Sequence, residues 1–206
     1  MTSTMSLTIW CNAKFNDAAD RLLAEGVSGH TLIRAAAGSS DVLAAGQPDP
    51  NLLTADVAFG QPVAADCAGA RRLRWVEVSS AGYTRYDTPE FRETFRSRGA
   101  AFTNASSVFA DPCAQHVLAM MLALGRNLLP SYQTQLTDHA WHYDARRATS
   151  RLLTGQTVLL LGFGAIGRRL SVLLAPLGMT LLAVRRQTRS ERGVRIIAAE
   201  QVSAAL

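Results

Sequence analysis

Thr157-Val158-Leu159-Leu160-Leu161-Gly162-Phe163-Gly164-Ala165-Ile166-Gly167-Arg168-Arg169-Leu170 is the stretch that decides how this 206-residue chain reads. The apolar run Val158–Leu161 predicts a buried strand. The positions Ile166, Leu170, Leu173, Leu174 and Leu177 then repeat at helical spacing. Three glycines in G-x-G-x-x-G order say little alone, but between a strand and a helix they form a dinucleotide-binding fingerprint. Gly162 permits the tight turn, Gly164 lets backbone approach a pyrophosphate, and Gly167 lets the helix pack closely on the strand. The anion sits against unpaired N–H groups and the positive end of the helix dipole. Gly162, Gly164, Ala165, Ile166 and Gly167 are therefore the candidate cofactor-binding turn.

A second strand is expected over Thr180–Arg186, after Gly178. In NAD-binding versions of this unit an acidic residue near its end accepts the ribose 2′-hydroxyl, ~20 residues beyond the glycines. Arg185 and Arg186 stand there instead. A guanidinium cannot accept that hydrogen bond, but it pairs with a 2′-phosphate. The expected cofactor is NADP rather than NAD. A methyltransferase-type nucleotide site also uses a glycine-rich strand–helix turn, but the third glycine and the arginine pair argue against it.

Before this unit, short apolar runs alternate with helical stretches. Leu7–Cys11, His30–Ala35, Asp56–Gly60, Trp75–Ser80 and Ala101–Asn104 read as strands, and Asp17–Ala24, Pro62–Leu73 and Pro89–Arg98 as helices. Continuous apolar strands alternating with helices predict an α/β fold with a parallel sheet covered on both faces. A long helix follows, with Asp111 as N-cap, Pro112 in its first turn and Pro130 kinking or ending it. It is apolar on nearly every face, which predicts burial between domains or at a subunit interface. The polar segment Thr134–Thr154 reads as a connection. The expected division is residues 1–105 as one domain and 106–206 as the linking helix with an incomplete nucleotide domain.

Composition narrows the alternatives. Hydrophobic residues make up 48% and charged residues 18% of the chain, which fits a globular protein. No stretch approaches the ~20 apolar residues of a membrane span, and Met1–Leu7 lacks a secretory pattern. Cys11, Cys67 and Cys113 follow no metal-ligand spacing and suit a reducing cytoplasm as packing residues. The net charge of +5 includes a cluster of Arg185, Arg186, Arg189, Arg192 and Arg195. No aromatic platform accompanies it, so a nucleotide phosphate is a better partner than nucleic acid.

Several segments in order resemble the D-isomer-specific 2-hydroxyacid dehydrogenases, in the branch of glyoxylate and hydroxypyruvate reductases. They are Asp56-Val-Ala-Phe-Gly60, Trp75-Val-Glu-Val-Ser-Ser-Ala-Gly82, Thr103-Asn104, Ala114-Gln-His116 and Gly162 to Gly167. The resemblance implies a flavodoxin-like substrate domain plus the first half of a Rossmann-type NAD(P)-binding domain, with the active site in the cleft. It implies that backbone N–H groups of Ala81 and Gly82 hold the carboxylate of a small 2-oxoacid or 2-hydroxyacid. It also implies dimers that pair through the nucleotide domain and the long helix. A turn of exposed N–H groups at a strand end is a plausible anion nest in its own right.

The chain departs from the family at Gln115, where glutamate is usual, and at Ser107, where glycine is frequent. His116 lies inside the long helix and reads as a hydrogen-bonded structural histidine; His30, His139 and His142 have no motif around them. A third strand is expected at Val194–Ala198 and the start of a helix at Ala199–Leu206. The family's catalytic arginine, glutamate and histidine would follow, so no catalytic residue is assigned. The expectation is an oxidoreductase polypeptide truncated before its chemistry, inactive alone and poorly soluble through an uncovered sheet. The alternative is a non-catalytic NADP-responsive binding or regulatory module.

Overall fold

The computed structural model describes residues 5–39, 41, 44, 46–186 and 191–205; Arg189 of the arginine cluster lies outside them. The chain divides into two compact units, Met1–Ser106 and Ser107–Leu206.

The first unit carries β1 (Thr8–Ala13), α1 (Asp17–Gly26), β2 (Thr31–Ser39), β3 (Val57–Gly60), α2 (Ala64–Gly69), β4 (Trp75–Val78), α3 (Pro89–Ser97) and β5 (Ala101–Asn104). Its five strands are all parallel in the order β2-β1-β3-β4-β5. That is the flavodoxin-like doubly wound order, whose ligands sit beyond the carboxyl ends of the strands. Local chemistry sets the helix starts. Asn16 accepts a hydrogen bond from the Ala19 N–H at the head of α1, and Thr88 accepts from Phe91 ahead of Pro89 in α3. Phe91 and Phe95, one turn apart on α3, stack with ring centroids 4.2 Å apart and meet Phe102 of β5 edge-on. Trp10, Leu52, Val76, Val78 and Tyr86 complete this core.

Helix α2 is much shorter than the expected Pro62–Leu73. Pro62 is not in its first turn, because its carbonyl accepts from the buried Tyr86 hydroxyl at 2.7 Å and Val63 remains extended. The helix then ends at Gly69.

The second unit carries α4 (Ala110–Gly125), α5 (Leu128–Leu136), α6 (Tyr143–Thr149), β6 (Thr157–Leu161), α7 (Ala165–Leu174), β7 (Thr180–Val184), β8 (Arg195–Ile197) and α8 (Val202–Ala205). The three strands are parallel in the order β6-β7-β8, which is that of the first half of a Rossmann sheet. Ala114 of α4, Phe163, Leu170 and Leu174 of α7, and Leu181 and Ala183 of β7 form its buried cluster.

Three expectations for this half are corrected. Asp111 is not the cap of α4: the helix opens after Phe109 with no side-chain cap, and Asp111 accepts instead from Arg169 Nε of α7 at 2.5 Å. Pro130 does not end α4, which stops at Gly125 before Asn127 turns left-handed (φ 54°); Pro130 sits in the opening turn of α5. The stretch Thr134–Thr154 is not a plain connection, since it holds the end of α5 and all of α6. Within its unit α4 buries Ala114 fully and leaves Met120, Leu122 and Leu124 exposed.

Candidate functional site

The turn from β6 into α7 is built by three glycines under three different constraints. Gly162 has φ +97°, a conformation that L side chains rarely adopt, and its N–H donates to the Val184 carbonyl at 2.9 Å. Gly164 caps α7 in extended backbone, and a Cβ built there would meet nothing within 4 Å. Gly167 is the packing glycine: a Cβ would lie 3.0 Å from the Gly162 carbonyl oxygen and 3.3 Å from the Phe163 ring. Ala165 and Ile166 supply the next first-turn amides, which have no partner inside a helix. A cavity of about 480 Å³ opens beside this turn, lined by Gly162, Phe163, Gly164, Val184, Arg185, Arg186 and Ala199. Bare backbone, open space at Gly164 and a helix N-terminus fit the pyrophosphate of a dinucleotide.

Both arginines that follow β7 reach this cavity, but in different states. Arg185 is 13% exposed, and its Nη1 donates to Glu191 Oε1 at 2.8 Å. The same Glu191 oxygen accepts from Nη1 of Arg168, in the first turn of α7, at 3.3 Å. Arg186 is exposed and has no hydrogen bond or ion pair among the described residues. Sequence reasoning missed Glu191, although a signal was present. It is the one acidic residue between Arg185 and Ala198, in a stretch otherwise rich in arginine.

In the first unit, the turn after β4 holds its carbonyls and leaves its amides open. The Ser80 carbonyl accepts from Ala105 N–H (3.1 Å), that of Ala81 from Asn104 Nδ2 (2.9 Å), and that of Gly82 from the Ser80 hydroxyl (2.6 Å). The N–H groups of Ala81 and Gly82 donate to no described residue, and both residues are exposed. Asn104, at the end of β5, is the side chain that ties this turn; the sequence showed it only as part of a family segment.

The histidines are arranged otherwise than expected. His116 is exposed and makes no hydrogen bond with a described residue, so it is not a bonded structural histidine in this chain. His30 is the one that accepts a backbone hydrogen bond, from Leu7 N–H at 3.2 Å. His142 lies 3.7 Å from Asp138 on an exposed loop. A second concavity in this unit, of about 600 Å³, is lined by Arg126, Trp141, His142, Tyr143 and Arg146 among others, and none of the glycine-turn residues borders it. Burial pushes the Cys67 thiol up to about 12, which keeps it an unreactive packing group. Among the described residues no group of three His, Cys, Asp or Glu is placed to hold a metal ion, and no helix is long and apolar enough to cross a membrane.

Strand order, glycine turn and flanking cavity together define a protein with a dinucleotide-binding α/β unit. Residues 118–205 match the family described as "D-isomer specific 2-hydroxyacid dehydrogenase, NAD binding domain". That segment is similar to the NAD-binding domain of the D-isomer-specific 2-hydroxyacid dehydrogenases. The chain is 29% identical over 107 residues to formate dehydrogenase of Candida boidinii, covering 52% of this chain and 29% of that protein. Glyoxylate reductase of Pyrococcus furiosus is 28% identical over 128 residues, covering 59% and 36%. The chain thus spans about a third of the length of these curated relatives. A phosphoglycerate oxidoreductase from Rhizobium etli shares the fold, with a TM-score of 0.72 and 23% identity over 96% of this chain and 63% of that one.

Proposed function

We propose that the chain binds NADP in preference to NAD and is part of an oxidoreductase that reduces a small 2-oxoacid such as glyoxylate or hydroxypyruvate. The observation that carries the cofactor reading is the exposed Arg186, which pairs with no described residue, on the wall of the cavity beside Gly162 and Gly164. The glycine turn holds the pyrophosphate through the amides of Gly164, Ala165, Ile166 and Gly167, and Arg186 meets the 2′-phosphate, with Arg185 beside it. When bound, the nicotinamide supplies the hydride chemistry. The amides of Ala81 and Gly82, which donate to no described residue, hold the substrate carboxylate, as oriented backbone N–H groups hold anions.

Among the described residues no histidine or acidic side chain lines the cavity beside the glycine turn. The one histidine–carboxylate pair among the described residues, His142 with Asp138, lies on an exposed loop, and neither residue lines the cavity beside the glycine turn. We infer that residues 1–206 alone bind cofactor without turnover. The exposed apolar side chains of α4 and α5, including Leu124, Leu128, Leu129 and Leu136, suit a homodimer contact.

Titration of the chain with NADPH and NADH, followed by calorimetry or nicotinamide fluorescence, tests the cofactor reading. NADPH binds about tenfold more tightly or better, the size of one charge-assisted contact, and Arg186→Ala removes that difference while leaving NADH unchanged. Equal affinities for the two nucleotides would overturn the preference, and binding of neither would overturn the site.

A further inference from the structure

Arg185 stands where the cofactor's 2′ group is read, yet a carboxylate of the same unit already holds it. Its guanidinium is largely withdrawn from solvent and donates to Glu191 at 2.8 Å, and Arg168 donates to the same oxygen. Glu191 is placed by a tight turn. Val194 N–H returns to the Glu191 carbonyl at 3.1 Å, Gly193 has φ +76°, and β8 starts immediately afterwards. One carboxylate therefore joins the end of β7, the first turn of α7 and the approach to β8. It does not line the cavity; Arg185 does.

We propose that Glu191 is an internal competitor for the 2′-phosphate and so a residue that sets the NADP-to-NAD ratio. This rests on the cofactor reading above. A phosphate monoester carries close to two negative charges at neutral pH. It can draw Arg185 from a single carboxylate, but only by breaking the existing ion pair and by lying near the carboxylate left behind. Both effects weaken NADPH binding. NADH has only a 2′-hydroxyl to present, leaves the Arg185–Glu191 pair in place, and is insensitive to it. Arg186, which pairs with no described residue, needs no such release from Glu191.

The opposite role is equally concrete: Glu191 could be a strut that holds Arg185 ready for phosphate. The two roles predict effects of opposite sign. Affinities of NADPH and NADH are measured by calorimetry for the full chain and for Glu191→Gln, Arg185→Ala and the double variant, with circular dichroism to check the fold. If Glu191 competes, Glu191→Gln tightens NADPH by about tenfold, the size of one charge-assisted contact. NADH stays within about twofold, and the gain vanishes in the Arg185→Ala background. Weaker NADPH binding in Glu191→Gln, or equal changes for both nucleotides, overturns the proposal and leaves the cofactor reading standing. Should Glu191→Gln unfold, Glu191→Asp replaces it. The shorter carboxylate loosens the pair, so NADPH tightens selectively under the proposal and does not under a strut. Absence of nucleotide binding by the unaltered chain overturns both readings together.

Discussion

Among single residues, Gly164 and Gly167 separate binding from folding. At Gly164 a methyl group meets no protein atom and the backbone is extended, so Gly164→Ala leaves the thermal midpoint of the second unit unchanged. It fills the space a pyrophosphate needs, and both NADPH and NADH weaken by about tenfold or more. At Gly167 the same methyl group meets the Gly162 carbonyl, which is backbone and cannot swing aside. Gly167→Ala therefore costs about 1–3 kcal/mol of stability, read as a lower urea midpoint. The backbone geometry of the two glycines was legible in the sequence, because it follows from spacing and the absence of a Cβ. The Glu191 pairing was not, because a salt bridge between a strand end and a turn has no signature in spacing. Asp56 gives a pH effect in the first unit. Its carboxylate accepts from Thr8 N–H at 2.8 Å and is paired with Arg72, and these hold its acid form below the usual carboxylate range despite some opposing desolvation. With the folded pKa below the unfolded one, the unfolded chain binds more protons in that window. The stabilisation is present above about pH 4 and is lost as pH falls through the folded value. Asp56→Asn flattens this acid limb, measured by urea unfolding at a series of pH values; an unchanged limb would assign the acid sensitivity elsewhere.

Among the elements, β6 is an apolar strand at the edge of its sheet. It is hydrogen-bonded to β7 on one side, no other described strand pairs with it, and Leu161 at its end is 75% exposed. An apolar strand with an open edge is a template for pairing with a second chain. Leu161→Lys puts a charge at that edge and lowers concentration-dependent self-association, seen as reduced light scattering at unchanged secondary structure. If scattering is unchanged, the apolar faces of α4 and α5 are the source. The strands themselves were legible: all eight lie where apolar runs predicted them, since buried parallel strands need uninterrupted apolar residues. Helix limits were less so. Pro62, Asp111 and Pro130 each suit a helix start or stop by type. The Tyr86 hydroxyl engages Pro62, Arg169 engages Asp111, and Gly125 with Asn127 ends α4 before Pro130 is reached. Such contacts join residues far apart in sequence, and local patterning cannot show them.

For the whole molecule, the decisive feature is that its two buried clusters share no residue. One is centred on Trp10, Val76, Val78 and Phe91, the other on Ala114, Leu170, Leu174 and Ala183. Every proposed cofactor contact belongs to the second unit, and the amides proposed for substrate belong to the first. A ligand stabilises whatever unfolds with its site, by RT ln(1 + [L]/Kd). At a hundredfold excess over Kd, NADPH adds about 2.7 kcal/mol, which slows by about a hundredfold the exchange of amides that open only when that unit unfolds. Hydrogen exchange followed by mass spectrometry reads the units separately. Slowed exchange in β6 and β7, with β1, β3 and β4 unchanged, is the expected pattern for two units that unfold independently. Equal slowing in all five strands would mean that both sheets open in a single cooperative step, so that nucleotide bound at one site also steadies the proposed anion turn at Ala81 and Gly82.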